Sequence, residues 1–154
     1  MAAASTYADV VEGVRATIAA YTHALDDGRT DDVVATFCAD GGCDIPGLGT
    51  YEGHDALRAA YAKWTPRQPQ RHLVLNTLIT EWTPEEAHAT SDVVFLLRGE
   101  TDWDDHEATA VSDVVFLLQG DAGWAVEVVG RYEDTLHRAD GTWRFHRRAA
   151  TFVT

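Results

Sequence analysis

Three side chains of this 154-residue chain hold the functional groups of acid–base chemistry where a fold can aim them inwards. Tyr21 lies on the apolar face of a helical pattern, Asp26 at the end of that pattern, and His72 at the start of a strand-like run. A neutral imidazole can take a proton from a carbon beside a carbonyl, because its reference pKa of about 6.5 lies close to working pH. A carboxylate beside it can fix its tautomer and stabilise the imidazolium, and a phenol can donate to the enolate oxygen. Other chemistries have less to draw on. His23, His88, His106, His137 and His146 show neither i, i+4 pairing nor a His-x-His pattern, so no metal centre is expected. Cys38 and Cys43 are the only cysteines; two thiols cannot hold zinc unaided, and both are read as buried and reduced. No Gly-rich phosphate loop follows a strand, and there is no Gly-x-Ser-x-Gly elbow or plausible Cys nucleophile. The chemistry expected is cofactor-free.

The elements that must position these groups are legible from periodicity. Val10, Val14, Ile18, Tyr21 and Leu25 recur at spacings of four, four, three and four, which predicts a helix from about Ala8 to Leu25. A second helix is expected from Thr30, whose hydroxyl would cap it, with Asp31 and Asp32 at the positive end of its dipole. Gly41-Gly42, Pro46-Gly47 and Gly49 leave space for short strands around Cys43–Ile45 and Thr50–Glu52. A third helix, His54 to Trp64, carries Leu57, Tyr61 and Trp64 at helical spacing. From Arg71 the pattern changes to strands: His72–Trp82, Ala87–Leu97, Ala108–Leu118, Trp124–Leu136 and Trp143–Val153. Helices first and strands afterwards predict an α+β fold, helices packed on one face of an antiparallel sheet.

Charge narrows the partners. Twelve basic against 25 acidic residues give a net charge of −13, which repels phosphate backbones and anionic lipid. Neither nucleic acid nor a membrane is expected as a partner. The longest strongly apolar run, Val93–Leu97, falls far below the ~20 residues that a bilayer needs. Met1–Tyr7 has no basic flank or apolar stretch, so a cytoplasmic protein is expected.

Residues 86–103 and 107–124 align without gaps at an offset of 21, and 12 of the 18 pairs are identical, including the whole Val-Val-Phe-Leu-Leu run. This is a tandem duplication of one strand and its turn. In an antiparallel meander an additional strand would reverse everything after it. One copy must loop out, exchange with a neighbouring subunit, or enter a rearranged sheet. Because an unpaired apolar strand is sticky, pairing of the spare copy within a strand-swapped homo-oligomer, a dimer or trimer, is the expectation.

Several stretches, taken in order, resemble the SnoaL-like branch of the nuclear-transport-factor-2-like superfamily. They are Tyr21-Thr22-His23-Ala24-Leu25-Asp26-Asp27-Gly28, Phe37 to Gly41, Tyr51-Glu52-Gly53-His54, and Arg71-His72 with Asn76. Gly130-Arg131-Tyr132-Glu133-Asp134 and Asp140-Gly141-Thr142-Trp143-Arg144-Phe145 complete the set. The resemblance runs from Val10 to Val153 apart from the additional copy. It implies one domain over residues 1–154, cystatin-like: a cone-shaped, curved antiparallel sheet with three N-terminal helices on its concave face around a deep apolar pocket. Known members include polyketide cyclases, dehydratases, ketosteroid isomerases, epoxide hydrolases and non-catalytic subunits. In scytalone dehydratase and the bile-acid 7α-dehydratases a Tyr and an Asp of the first-helix region face a His of this strand. Tyr21, Asp26 and His72 are similar to that set.

The resemblance therefore implies a dehydratase, cyclase or isomerase acting on a hydrophobic oxygenated molecule of polyketide, aromatic or steroid type. His72 would be the base, Asp26 its orienter and Tyr21 the oxyanion donor. Asn76 shares the His72 face if the strand alternates regularly. Tyr51 and Trp64 are candidates for the cavity lining, Asp92 or Asp113 for an inward acid, and Arg131, Arg147 and Arg148 for binding a carboxylate or phenolate. Asp134 is read as a structural partner for a nearby arginine, and His54 as the start of the third helix. A non-catalytic subunit, similar to the β chain of ring-hydroxylating dioxygenases, is the alternative. Epoxide hydrolysis, a third reading, requires two inward acids flanking an arginine.

Overall fold

The computed structural model describes residues 5–98 and 124–153. Helix α1 (Tyr7–Asp26) starts at a reciprocal cap, in which the Thr6 hydroxyl accepts from the Asp9 amide and the Asp9 carboxylate accepts from the Thr6 amide. Its buried stripe is Val10, Val14, Ile18 and Tyr21, as the spacing predicts. Helix α2 (Thr30–Ala35) differs in its start: Arg29 occupies the cap position, Thr30 is already helical, and no side chain caps the end. Val33 and Val34 are buried beneath it.

Strand β1 (Phe37–Ile45) continues through the two glycines expected to break it, but its register against β6 shifts between Phe37 and Gly42. Both glycines are packing devices. A Cβ at Gly41 would sit 2.6 Å from the Phe145 carbonyl oxygen, and one at Gly42 would sit 2.6 Å from that of Tyr51. Only glycine lets β1 lie this close to both neighbours. Strand β2 (Gly49–Glu52) leads into α3 (Gly53–Lys63), followed by β3 (Gln70–Trp82), β4 (Glu86–Arg98), β5 (Trp124–Ala139) and β6 (Thr142–Phe152). Asp140 and Gly141, at φ of 52° and 77°, make the two-residue turn between β5 and β6.

The six strands form one curved, unclosed sheet in the order β2-β1-β6-β5-β4-β3. One pair departs from the expected antiparallel sheet: β6 arrives beside β1 in parallel, because the β3–β6 meander returns from the far edge. Helix α1 packs on β3 and β6, and α3 on β1. Val14, Phe37, Leu57, Leu136 and Phe145 fill the layer between. No helix of the described residues is long and apolar enough to cross a membrane.

The first repeat copy supplies β4, which pairs directly with β5 from Glu86↔His137 to Arg98↔Trp124. Residues 107–123 of the second copy, with Asp113 and the expected strand 108–118, lie outside the described residues, and so does the expected pairing of a spare copy between subunits. The buried side chains of β4 are Ala87, Ala89, Ser91, Val93 and Leu96. Each recurs unchanged 21 residues later, as Ala108, Ala110, Ser112, Val114 and Leu117. Either copy therefore encodes the same buried face. Deleting residues 99–119 joins Arg98 to Gly120 and leaves a four-residue hairpin loop, a favoured length. That variant, and equally one lacking residues 86–106, is expected to fold with a melting midpoint shifted by no more than about 2–4 °C. Calorimetry checks this; failure of either to unfold cooperatively would show that one copy alone is insufficient.

Candidate active site

Asp26 closes the last turn of α1, and His72 enters two residues into β3 beside it. The His72 amide donates to Asp26 Oδ2 at 2.8 Å, and His72 Nδ1 lies 2.6 Å from Asp26 Oδ1. Because the carboxylate only accepts, Nδ1 carries the proton and Nε2 keeps its lone pair. Gln70, two residues earlier and hence on the same face of the strand, is buried and directs its Nε2 to Asp26 Oδ1 and the Leu25 carbonyl, both at 3.4 Å. Phe95, the cross-strand partner of His72, stacks on the imidazole with centroids 4.4 Å apart. The side chains of His72 and Asp26 are 13% and 7% exposed, so the dyad is shielded.

His72 opens onto a cavity of about 470 Å³ walled by Leu25, Trp64, Val93, Phe95 and Phe152. Among the described residues its polar side chains are Gln70, His72, the Trp64 indole and three phenols, Tyr21, Tyr61 and Tyr132. This is the form of a small-molecule site: mostly apolar, with a few placed polar groups. Tyr21 thus shares the cavity with the dyad but does not hydrogen-bond to it. Its hydroxyl lies 2.9 Å from that of Tyr61, which in turn donates to Cys43 Sγ at 3.8 Å. Burial pushes the Tyr21, Tyr61 and Tyr132 phenols above their ordinary pKa, so all three are protonated donors at neutral pH.

Beneath the phenols lies Arg148, fully buried, with Nε and Nη2 bonded to the two carboxylate oxygens of Asp134 at 2.8 and 2.7 Å. Its guanidinium also rests 4.4, 4.0 and 4.2 Å from the ring centroids of Tyr21, Tyr132 and Phe145. Asp134 is the structural arginine partner that the sequence suggests. Arg148 itself is held by protein groups rather than lining the cavity, which corrects its expected role as a ligand for substrate anions. Among the described residues it meets the single acid Asp134, not the flanking pair that epoxide hydrolysis requires.

Four other expectations, for Asn76, Asp92, Arg131 and Arg147, fail for reasons of strand geometry. Asn76 adopts a φ of 53°, and pairing slips between Leu75 and Leu78, so the alternation from His72 is lost. Its amide instead donates to Asp92 at 2.9 Å. Asp92 sits between the inward Ser91 and Val93 and therefore faces outward, where Arg131 binds it at 3.0 Å. A bulge at His146 flips the parity of β6, so that Arg148 rather than Arg147 follows Phe145 inwards. Arg147 pairs with Asp44 and Glu52 at the rim of the sheet. Tyr51 supports the cavity at one remove, edge-on to Trp64 with its hydroxyl donating to the Leu48 carbonyl at 2.7 Å. His54 lies in the first turn of α3, its Nε2 3.0 Å from the Phe37 carbonyl oxygen.

Helices covering one face of a curved sheet, with a mostly apolar cavity between, define a protein of the cystatin-like, nuclear-transport-factor-2-like fold. The chain belongs to the SnoaL-like domain family, whose model matches residues 6–149. No curated protein sequence matches it. Among solved structures it resembles a Mycobacterium tuberculosis protein of unknown function, with a TM-score of 0.75 and 21% identity over 94% of this chain and 72% of that one. A candidate scytalone dehydratase from Novosphingobium aromaticivorans gives a TM-score of 0.71 and 20% identity over 94% of this chain and 85% of that one. A hexachlorocyclohexane dehydrochlorinase gives 0.70 and 12% over 97% and 90%. The family includes dehydratases and isomerases.

Proposed function

We propose that this protein is a cofactor-independent lyase or isomerase, a dehydratase, cyclase or isomerase acting on a hydrophobic oxygenated small molecule of polyketide, aromatic or steroid type. The observation that carries the reading is the Asp26–His72 pair opening onto an apolar cavity. His72 Nε2 takes a proton from carbon beside the substrate carbonyl, and the electron pair moves onto the carbonyl oxygen as an enolate. Asp26 stabilises the imidazolium, and a phenol of the wall hydrogen-bonds the oxyanion. The imidazolium then returns its proton, either to a departing β-hydroxyl, which leaves as water, or to a different carbon, which moves the double bond. The names of two fold relatives, a dehydratase and a dehydrochlorinase, both describe eliminations.

The test is turnover of a panel of apolar β-hydroxy ketones and β,γ-unsaturated ketones, followed by absorbance of the conjugated enone. Wild type is expected to turn over at least one, and His72→Ala to lower kcat by at least ~100-fold, the scale of general-base loss. Activity within about threefold of wild type in that variant would remove the base role. Tight binding of every compound without turnover would favour a ligand-carrying or assembly subunit instead.

A further inference from the structure

We propose that Tyr132 is the residue that donates a hydrogen bond to the substrate oxyanion, in place of Tyr21. This rests on the acid–base reading above and names the group that completes it. Three phenols line the cavity, and each has one proton to give. Two of the three are already engaged. Tyr21 and Tyr61 share a hydrogen bond of 2.9 Å in which either hydroxyl can donate, and Tyr61 also reaches Cys43 Sγ at 3.8 Å. Both hydroxyls therefore already have a protein partner.

Tyr132 has no such engagement. It lies on β5 between Ser91 of β4 and Ala150 of β6, only 7% exposed, with its ring in the cavity wall. Among the described residues its hydroxyl makes no hydrogen bond, so its proton is free for a ligand oxygen in the cavity. Its ring, like that of Tyr21, rests on a guanidinium. The Arg148 guanidinium sits 4.0 Å from its centroid and is locked by two bonds to Asp134. A fixed positive charge on the ring face favours negative charge gathering on the phenol oxygen as its proton is shared with an oxyanion. Burial raises the Tyr132 pKa, and the charges of Asp134 and Asp26 add to it, so the phenol stays a protonated donor rather than a phenolate. The dyad and Tyr132 thus divide the work across one cavity: proton to His72, negative charge to Tyr132.

The test uses para-nitrophenolate, whose charge and size mimic an enolate and whose absorbance reports its ionisation on binding. Wild type is expected to bind the anion and to lower the pKa of the bound phenol. Tyr132→Phe keeps the ring on Arg148 and is expected to weaken anion binding at least ~10-fold, the scale for losing a donor to a charged group. Tyr21→Phe is expected to stay within about threefold. Binding by Tyr132→Phe within threefold of wild type, an equal loss in Tyr21→Phe, or no binding by wild type would each overturn the proposal. Because the probe does not react, these outcomes stand apart from the effect of His72→Ala on turnover. A Tyr132-dependent affinity that persists in His72→Ala supports the assignment whichever way the base test falls.

Discussion

Asp26→Asn is expected to lower kcat by about 100- to 10,000-fold while leaving fold and cavity intact. Besides the longer contact from Gln70 Nε2 to Oδ1, the carboxylate accepts two bonds from one residue: the His72 amide on Oδ2 and the His72 ring on Oδ1. Asparagine has one acceptor oxygen and one donor nitrogen in the same outline. If the oxygen faces the ring, the amide nitrogen meets the His72 N–H, two donors opposed in a shielded place. If the oxygen faces the backbone, the ring must turn Nδ1 into an acceptor, and its proton moves to Nε2. The second arrangement satisfies both contacts, so it is the one expected to form, and it removes the lone pair that would take the substrate proton. Loss of the negative charge also withdraws support from the imidazolium. Nitrogen NMR of the imidazole checks the tautomer without any substrate: protonated Nδ1 in wild type, protonated Nε2 in the variant. An unchanged tautomer with full activity would show that Asp26 merely ties helix to strand.

That dyad was legible in the sequence because both partners sit at element ends, where a small error in boundary does not alter which way a side chain faces. Asp26 ends an apolar stripe of clear helical period, and His72 opens the first strand. Residues deeper in the strands were not readable with the same security. Period-two reasoning from His72 carries Asn76 inwards, yet a slip at Leu75–Leu78 turns it out. The same reasoning cannot tell Arg147 from Arg148, since the bulge at His146 decides the parity. Gln70 was available from alternation but preceded the expected strand start. Tyr132 appeared only as part of the Arg-Tyr-Glu-Asp motif, because its importance depends on what its hydroxyl does not touch. Gly41 and Gly42 show a related limit: a glycine pair reads as a turn locally, and only the neighbouring β2 and β6 reveal it as close strand packing.

Asp134→Ala is expected to destabilise the protein by about 3–5 kcal/mol, the usual cost of stranding one charge of a buried pair. Arg148 has its guanidinium inside three aromatic rings, and both oxygens of Asp134 are its partners. Removing the acid leaves a cation that can neither lose its proton nor reach water. At this chain length the loss corresponds to a melting midpoint lower by roughly 6–20 °C. The double variant Asp134→Leu with Arg148→Met separates charge from packing. Apolar groups of similar volume remove both desolvation costs at once, and such replacements are commonly neutral or stabilising. The double variant is therefore expected to recover most of the stability lost by Asp134→Ala in denaturant titrations. If the Tyr132 assignment holds, it should still bind para-nitrophenolate more weakly than wild type, because the charge behind the ring is gone. Stability restored with affinity unrestored would mean that the buried pair is kept for the cavity it backs, since a well-packed apolar pair serves the fold as well. Full recovery of both would assign Arg148 and Asp134 to folding alone.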